Sequence, residues 1–245
     1  MRNIKLVLEY DGKAYHGFQF QPGIPTIQGE IERALNKLTG EGVRVAGAGR
    51  TDRGVHASGQ TASFLTDSPI PIENFKRAFN DCLPEDIRVK AAEEVDQDFH
   101  ARFSAKSREY VYTLYLGKEP PIFWRRYVWP VHGPLNLERI QEAGEHFLGT
   151  HDFSSFSLPE EDNKSRLRTV LRVEVKIQPT DLVKISIEAN AFLTRMVRMM
   201  VGAMVEAGAG RISSERIRDI LEAKDNRLAP KNVPASGLCL TNVRY

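Results

Sequence analysis

Two cysteines in 245 residues, Cys82 and Cys239, are too few and too far apart for a disulfide framework. Neither lies in a C-x-x-C pair, so both are expected as buried reduced thiols, not as metal ligands. No apolar run approaches the roughly 20 residues that span a bilayer. The chain opens on a strand-like pattern, with no apolar signal-peptide core and no cleavage site, so a cytoplasmic protein is expected. A strong charge imbalance is lacking too, because the formal net charge is only +2. That balance does not argue for nucleic acid on its own. H-E-x-x-H, G-x-S-x-G and paired Cys/His spacings are absent, and the six histidines form no ligand set. No metal, redox group or nucleotide cofactor is therefore expected.

What is present is an ordinary packed composition, 41% hydrophobic, long enough for one large domain or two small ones. Residues 4–10 alternate as a strand with Ile4, Leu6, Leu8 and Tyr10 on one face. Helical spacing follows at 27–38, after Thr26 and before Gly40. Strand-like runs at 43–49 and 61–65 bracket a glycine-rich turn, and a helix is expected at 71–83. Residues 100–108 read as a polar, basic connector. The second half repeats the grammar without repeating the sequence. A strand at 110–116, a helix at 136–148, a loop at 154–168 and a hairpin around "QPTD" come first. In that hairpin Leu171, Val173, Val175 and Ile177 should share a face. Helices at 192–207 and 213–223 and a last strand complete the chain. Mixed hairpins and helices favour an α+β protein with a largely antiparallel sheet, divided into residues 1–105 and 106–245.

The chemistry concentrates in "GAGRTDRGVHA", residues 47–57. This is not a dinucleotide loop, since Asp52 stands where the third glycine belongs. Nor is it a P-loop, since Val55 replaces the lysine. A carboxylate would repel a phosphate, so the glycines must serve a tight turn or a close backbone approach. A solvated Asp in a β-turn is the plain alternative. Against it stands the crowding of Arg50, Asp52, Arg53 and His56 between two apolar strands.

The segment 192–207 carries Met196, Met199, Met200 and Met204, four of the five methionines, which fits adaptable core. Arg195 and Arg198 interrupt it at i, i+3 spacing and should be neighbours on one helix face. A guanidinium in such a setting needs an anionic partner, and Asp52 is a candidate. In "SREYVY" Tyr110 and Tyr112 point the same way on a strand. Packing alone explains Tyr112, whereas Tyr110, beside basic residues, is placed to stack on a base.

Together, "GRTDRGVHA" (49–57), "FHARFSAKSREYVY" (99–112), "FLTRMVRMMVG" (192–202), "HDFSSF" (151–156) and the opening "IKLVLEYDGKAYHGFQFQPG" resemble the tRNA pseudouridine synthase A (TruA) family along the whole chain. The resemblance implies two RRM-like, ferredoxin-like α/β subdomains sharing an extended sheet, with the active site in a basic central cleft. It implies isomerisation of uridine to pseudouridine at positions 38, 39 and 40 of the tRNA anticodon stem-loop by a cofactor-free homodimer. Asp52 falls on the nucleophile, Tyr110 on the substrate-contacting tyrosine and Arg198 on the arginine of the last motif. Arg50 assists as the base leaves its stack. Arg53, His56, Arg102, Arg166 and Arg168 are further expected RNA contacts.

Two rivals stand beside this reading. A non-catalytic structured-RNA-binding protein would find Asp52 an obstacle among phosphates. A glycosidase acting on a small nucleoside would need a second carboxylate, and none is evident near the motifs. Isomerisation needs one, because the base is retained and water excluded. Attack on C1′ and attack on the uracil ring both remain open.

Overall fold

The structure is a computed structural model that describes residues 1–159 and 165–245. The middle of the loop expected at 154–168 thus lies outside the described residues. The chain forms two compact units, Met1–Lys106 with Cys239–Tyr245, and Ser107–Leu238. Each is α+β with mainly antiparallel pairing.

The first unit runs β1 (Arg2–Tyr10), α1 (Ile27–Thr39), β2 (Ala46–Gly47), β3 (His56–Thr66), α2 (Ile72–Asn80) and β4 (Ile87–Val95). This is the βαββαβ order of ferredoxin-like folds. The central strands β1 and β3 are antiparallel, β4 pairs with the outer side of β1, and β2 pairs with the outer side of β3. The start of β1 follows from its alternation: Ile4, Leu6 and Leu8 are fully buried. Thr26 caps α1 by accepting from the Gly29 amide at 3.2 Å, and Gly40 ends the helix at φ 74°. Its apolar stripe, Ile27, Ile31, Ala34 and Leu35, is buried. On α2 the rings of Phe75 and Phe79 pack on Phe64 of β3. The strand run expected at 43–49 shrinks to two residues, and much of the rest is the ascending limb of the glycine-rich turn.

The second unit runs β5 (Ser107–Tyr115), β6 (Trp129–Pro130), α3 (Leu137–Glu145), β7 (Gly149–Asp152), β8 (Leu167–Gln178), β9 (Leu182–Ala189), α4 (Met196–Gly208) and α5 (Arg216–Ala223). Its antiparallel order is β5-β9-β8-β7, with β6 parallel beside β5. The last strand, β10 (Leu238–Arg244), groups with the first unit, where Cys239 and Leu240 pair in parallel with His56 and Ala57 of β3. Its residues follow the second unit in sequence but its partners in the first are 183 positions earlier, a choice made by strand pairing and not by chain order.

Two local expectations need correcting. Leu171, 55% exposed, leaves the face it was expected to share, while Val173, Val175 and Ile177 keep one register against Ile187, Ile185 and Val183, with Ile177 exposed at the strand's end. A bulge between Val170 and Arg172 breaks the two-residue period at Leu171. The cysteines are free thiols as expected, but half-buried rather than buried.

Candidate active site

Asp52 stands at the head of a tight turn. Its carbonyl accepts from the Val55 amide at 3.1 Å, and Gly54 adopts φ 78° at the third position. That pattern is a type II turn, which requires glycine there. Asp52 is half-buried, while its neighbours Arg50 and Arg53 are exposed. One carboxylate is thus flanked by two cations that can attract a polyanion.

The turn is held rigid by the segment after β1, which the sequence showed only as a turn of its own. On the near side of Asp52, the Thr51 hydroxyl lies 2.8 Å from the Tyr10 hydroxyl, and the Thr51 carbonyl accepts from the Phe18 amide at 3.0 Å. The far side is tied by the Gly54 amide, which donates to the Tyr15 carbonyl at 3.4 Å. Fully buried Gln60 on β3 donates to the Gly49 carbonyl at 2.9 Å and reaches Tyr10 at 3.4 Å. Burial pushes the Tyr10 hydroxyl well above the usual tyrosine range, so it is neutral and able to donate or accept in this network.

His56 was expected to touch RNA. It is buried beneath the turn, with Nδ1 3.1 Å from the Gly12 amide, which donates to it, and 3.1 Å from the Asp11 carboxylate. Two glycines make this approach possible. A Cβ on Gly12 would lie 2.0 Å from the Val55 carbonyl oxygen. Gly17, at φ 96°, would place one 2.6 Å from the Thr51 carbonyl oxygen. Within the motif itself, Gly47 leaves room for the Phe18 ring, which a Cβ would meet at 2.3 Å. The signal for this clamp was available in "DGKAYHG" as glycines interleaved with aromatics, but its target lies 40 residues away.

Tyr110 and Tyr112 share the buried face of β5, as their spacing predicts. Tyr110 packs edge-to-face on Phe192 with centroids 5.2 Å apart. Tyr112 is fully buried, donates to the Pro234 carbonyl at 2.8 Å and meets Trp129 edge-on. Burial raises its hydroxyl pKa, and the nearby Arg198 charge opposes that shift.

The Met-rich segment is core, with all four methionines buried on a helix that is apolar almost all round. Arg195 departs from expectation. It is not a helical neighbour of Arg198 but the exposed residue before the helix, left-handed at φ 64°. Left-handed backbone breaks the i, i+3 geometry that spacing alone suggested. Arg198 lies inside α4, half-buried, and its Nε donates to the Val233 carbonyl at 2.7 Å.

Of the other arginines, Arg102 and Arg166 sit in loops, Arg108 near the start of β5 and Arg168 near the start of β8. Exposed Arg102 lies 5.5 Å from the centre of the exposed Phe103 ring. Arg166 donates to the Ser157 hydroxyl and the Leu158 carbonyl, and Arg168 to the Ser165 and Leu167 carbonyls. Buried Arg108 donates to the Asn190 carbonyl at 2.8 Å. The structure therefore brings Arg50, Asp52, Arg53 and His56 together in the first unit, and places Tyr110 on β5 and Arg198 on α4 of the second. Among the described residues no cluster of three or more His, Cys, Asp or Glu side chains is arranged to hold a metal, and no helix is long and apolar enough to cross a membrane.

The chain as a whole is similar to known proteins. The family model described as tRNA pseudouridine synthase matches residues 6–104 and 143–245. The chain is 44% identical, over the full length of both proteins, to tRNA pseudouridine synthase A of Clostridium kluyveri. It is equally similar, 44% over full length, to that of Acetivibrio thermocellus. The protein of the same name from Thermoanaerobacter sp. strain X514 is 42% identical, again end to end.

Proposed function

The chain belongs to the tRNA pseudouridine synthase family, and from that premise we propose that it isomerises uridine to pseudouridine in the tRNA anticodon stem-loop, at positions 38, 39 and 40, with Asp52 as its nucleophile. The observation that carries the assignment is the clamped turn, in which the residues on both sides of Asp52 are hydrogen-bonded to a separate segment. A solvated surface aspartate needs no such support. A reacting carboxylate does, because misplacement by about 1 Å can lower a rate about a hundredfold.

The reaction breaks the N1–C1′ bond, turns the uracil and joins C5 to C1′, with the C5 proton lost and N1 protonated. A carboxylate stabilises or traps the cationic character at C1′, as in glycosidases, or adds to the uracil ring. Water has no part, so a single carboxylate suffices. The target base must first leave its stack, at a cost of a few kcal/mol. Arg50 and Arg53, exposed beside Asp52, attract the phosphates that offset this cost. Tyr110 supplies a ring for the extruded base, and Arg198 steers the reacting anion. Arg102, Arg166 and Arg168 contribute phosphate contacts, whereas His56 holds the turn from below. The enzyme works in the cytoplasm as a homodimer and uses no cofactor.

Tritium release from [5-³H]uridine-labelled tRNA tests the reading, with wild type beside Asp52→Ala. Release by the wild type alone, with both proteins still binding tRNA, is the expected result. Equal release from both removes Asp52 from the chemistry. Binding without release by the folded wild type makes the protein an RNA-binding module. Transcripts carrying uridine at only one of positions 38, 39 or 40 test the site assignment.

A further inference from the structure

We propose that the segment 231–234 is a strap that aims the Arg198 guanidinium, and that Gly202 and Tyr112 are positioning residues that hold the strap in place. The inference rests on the role given to Arg198 above.

Three carbonyls of this short segment meet three different residues. The Lys231 carbonyl lies over Gly202, where a Cβ would stand 2.8 Å from its oxygen. The Val233 carbonyl accepts from Arg198 Nε at 2.7 Å, and the Val233 amide donates back to the Arg198 carbonyl at 3.4 Å. The Pro234 carbonyl accepts from the Tyr112 hydroxyl at 2.8 Å. Gly202 is four residues beyond Arg198, so the two lie on one face of α4 and the strap runs across that face. Tyr112 is fixed in turn, because it is fully buried and Gly237 abuts its ring, where a Cβ would fall 2.6 Å away.

Helix interiors disfavour glycine, since it gives up the most backbone freedom and packs nothing. Here its smallness admits a backbone carbonyl at a distance no side chain tolerates. The consequence falls on Arg198. A guanidinium is planar and presents its donors as a fork. Once Nε is committed to the strap, the plane is set, and an anion meets the terminal Nη groups end-on. An arginine at this position without the strap would sample many rotamers and lose more freedom on engaging its anion.

The test is steady-state kinetics on full-length protein with tRNA, for Gly202→Ala, Tyr112→Phe and Arg198→Ala and for each of the first two combined with the third. Gly202→Ala should lower kcat about tenfold to a hundredfold, with KM within about twofold, because orientation and not tRNA affinity is disturbed. Tyr112→Phe, which keeps the ring and removes one hydrogen bond, should lower kcat about threefold to tenfold and covers the case in which Gly202→Ala does not fold. In the Arg198→Ala background neither change should cost further activity, since both act through the same side chain. A second readout needs no turnover: the Arg198 Nε–H proton should exchange slowly in wild type and faster in Gly202→Ala. Losses that multiply in the double variants, or an unchanged kcat in both folded single variants, overturn the strap alone. Full activity in Arg198→Ala overturns the role of Arg198 and the strap with it.

Discussion

The two units solve the same problem of precision in opposite ways. The first places Asp52 on a loop and stiffens that loop with hydrogen bonds to the side chains of Tyr10, Gln60 and His56 and with two glycines that let backbones touch. The second places Tyr110 on a strand and Arg198 on a helix, where packing around Phe192, Tyr112 and the methionines does the holding. A loop exposes a side chain but leaves it loose unless tied, whereas a regular element is already rigid but buries what it carries. Changes to the first unit's clamp should therefore damage activity more than stability suggests, and core changes in the second, away from the strap at 231–234, should do the reverse.

The sharpest break in that contrast is Asp52→Asn, which should remove activity to background while the melting temperature stays within a few degrees, read by tritium release and thermal melts. Next come the glycines. Gly12→Ala drives a Cβ into the Val55 carbonyl and should destabilise the protein by about 3 kcal/mol or more and abolish turnover. Its counterpart Gly208→Ala meets the Ile140 side chain at 2.3 Å and the Asn136 carbonyl oxygen at 3.1 Å, so about 1–3 kcal/mol should be lost with activity per folded molecule retained. Denaturant melts and active-site titration distinguish the pair. Tyr10→Phe removes the bond to Thr51, and about 1 kcal/mol of stability with a roughly tenfold fall in kcat is expected. Met200→Leu in the second unit's core should cost less than about 1.5 kcal/mol and leave kcat unchanged. A kcat loss there larger than that of Tyr10→Phe would erase the distinction between the units.

The smallest effect sets the floor. The hydrogen bond from Arg211 holds the Glu206 carboxyl below its usual range, against a smaller opposing effect of burial. A depressed folded pKa adds stability above the unfolded value of about 4.3, and that stability disappears as pH falls through the folded value. Arg211→Ala should thus melt slightly earlier than wild type at pH 7, with the gap narrowing as pH falls below the ordinary carboxylate range. A gap that does not narrow would mean the pair acts through packing.

The amino-acid sequence by itself determined the α+β class, the five helices, the strands other than β4, β6 and β7, the Asp52 turn and the family, because each is written in short-range patterns: alternation in β1, the Thr26 and Gly40 boundaries of α1, and the unbroken 49–57 motif. Where local order was the only guide it failed at Leu171, which a bulge turns outward, and at Arg195, whose left-handed backbone removes it from the helix that spacing assigned. Only the tertiary structure decided what holds Asp52, that His56 faces inward beneath the turn, and that Val233 meets Arg198. The physical reason is shared: these contacts join residues 30 to 50 positions apart, most of them through a backbone carbonyl or amide whose identity leaves no mark on the sequence, and their meeting depends on the folded path of the chain.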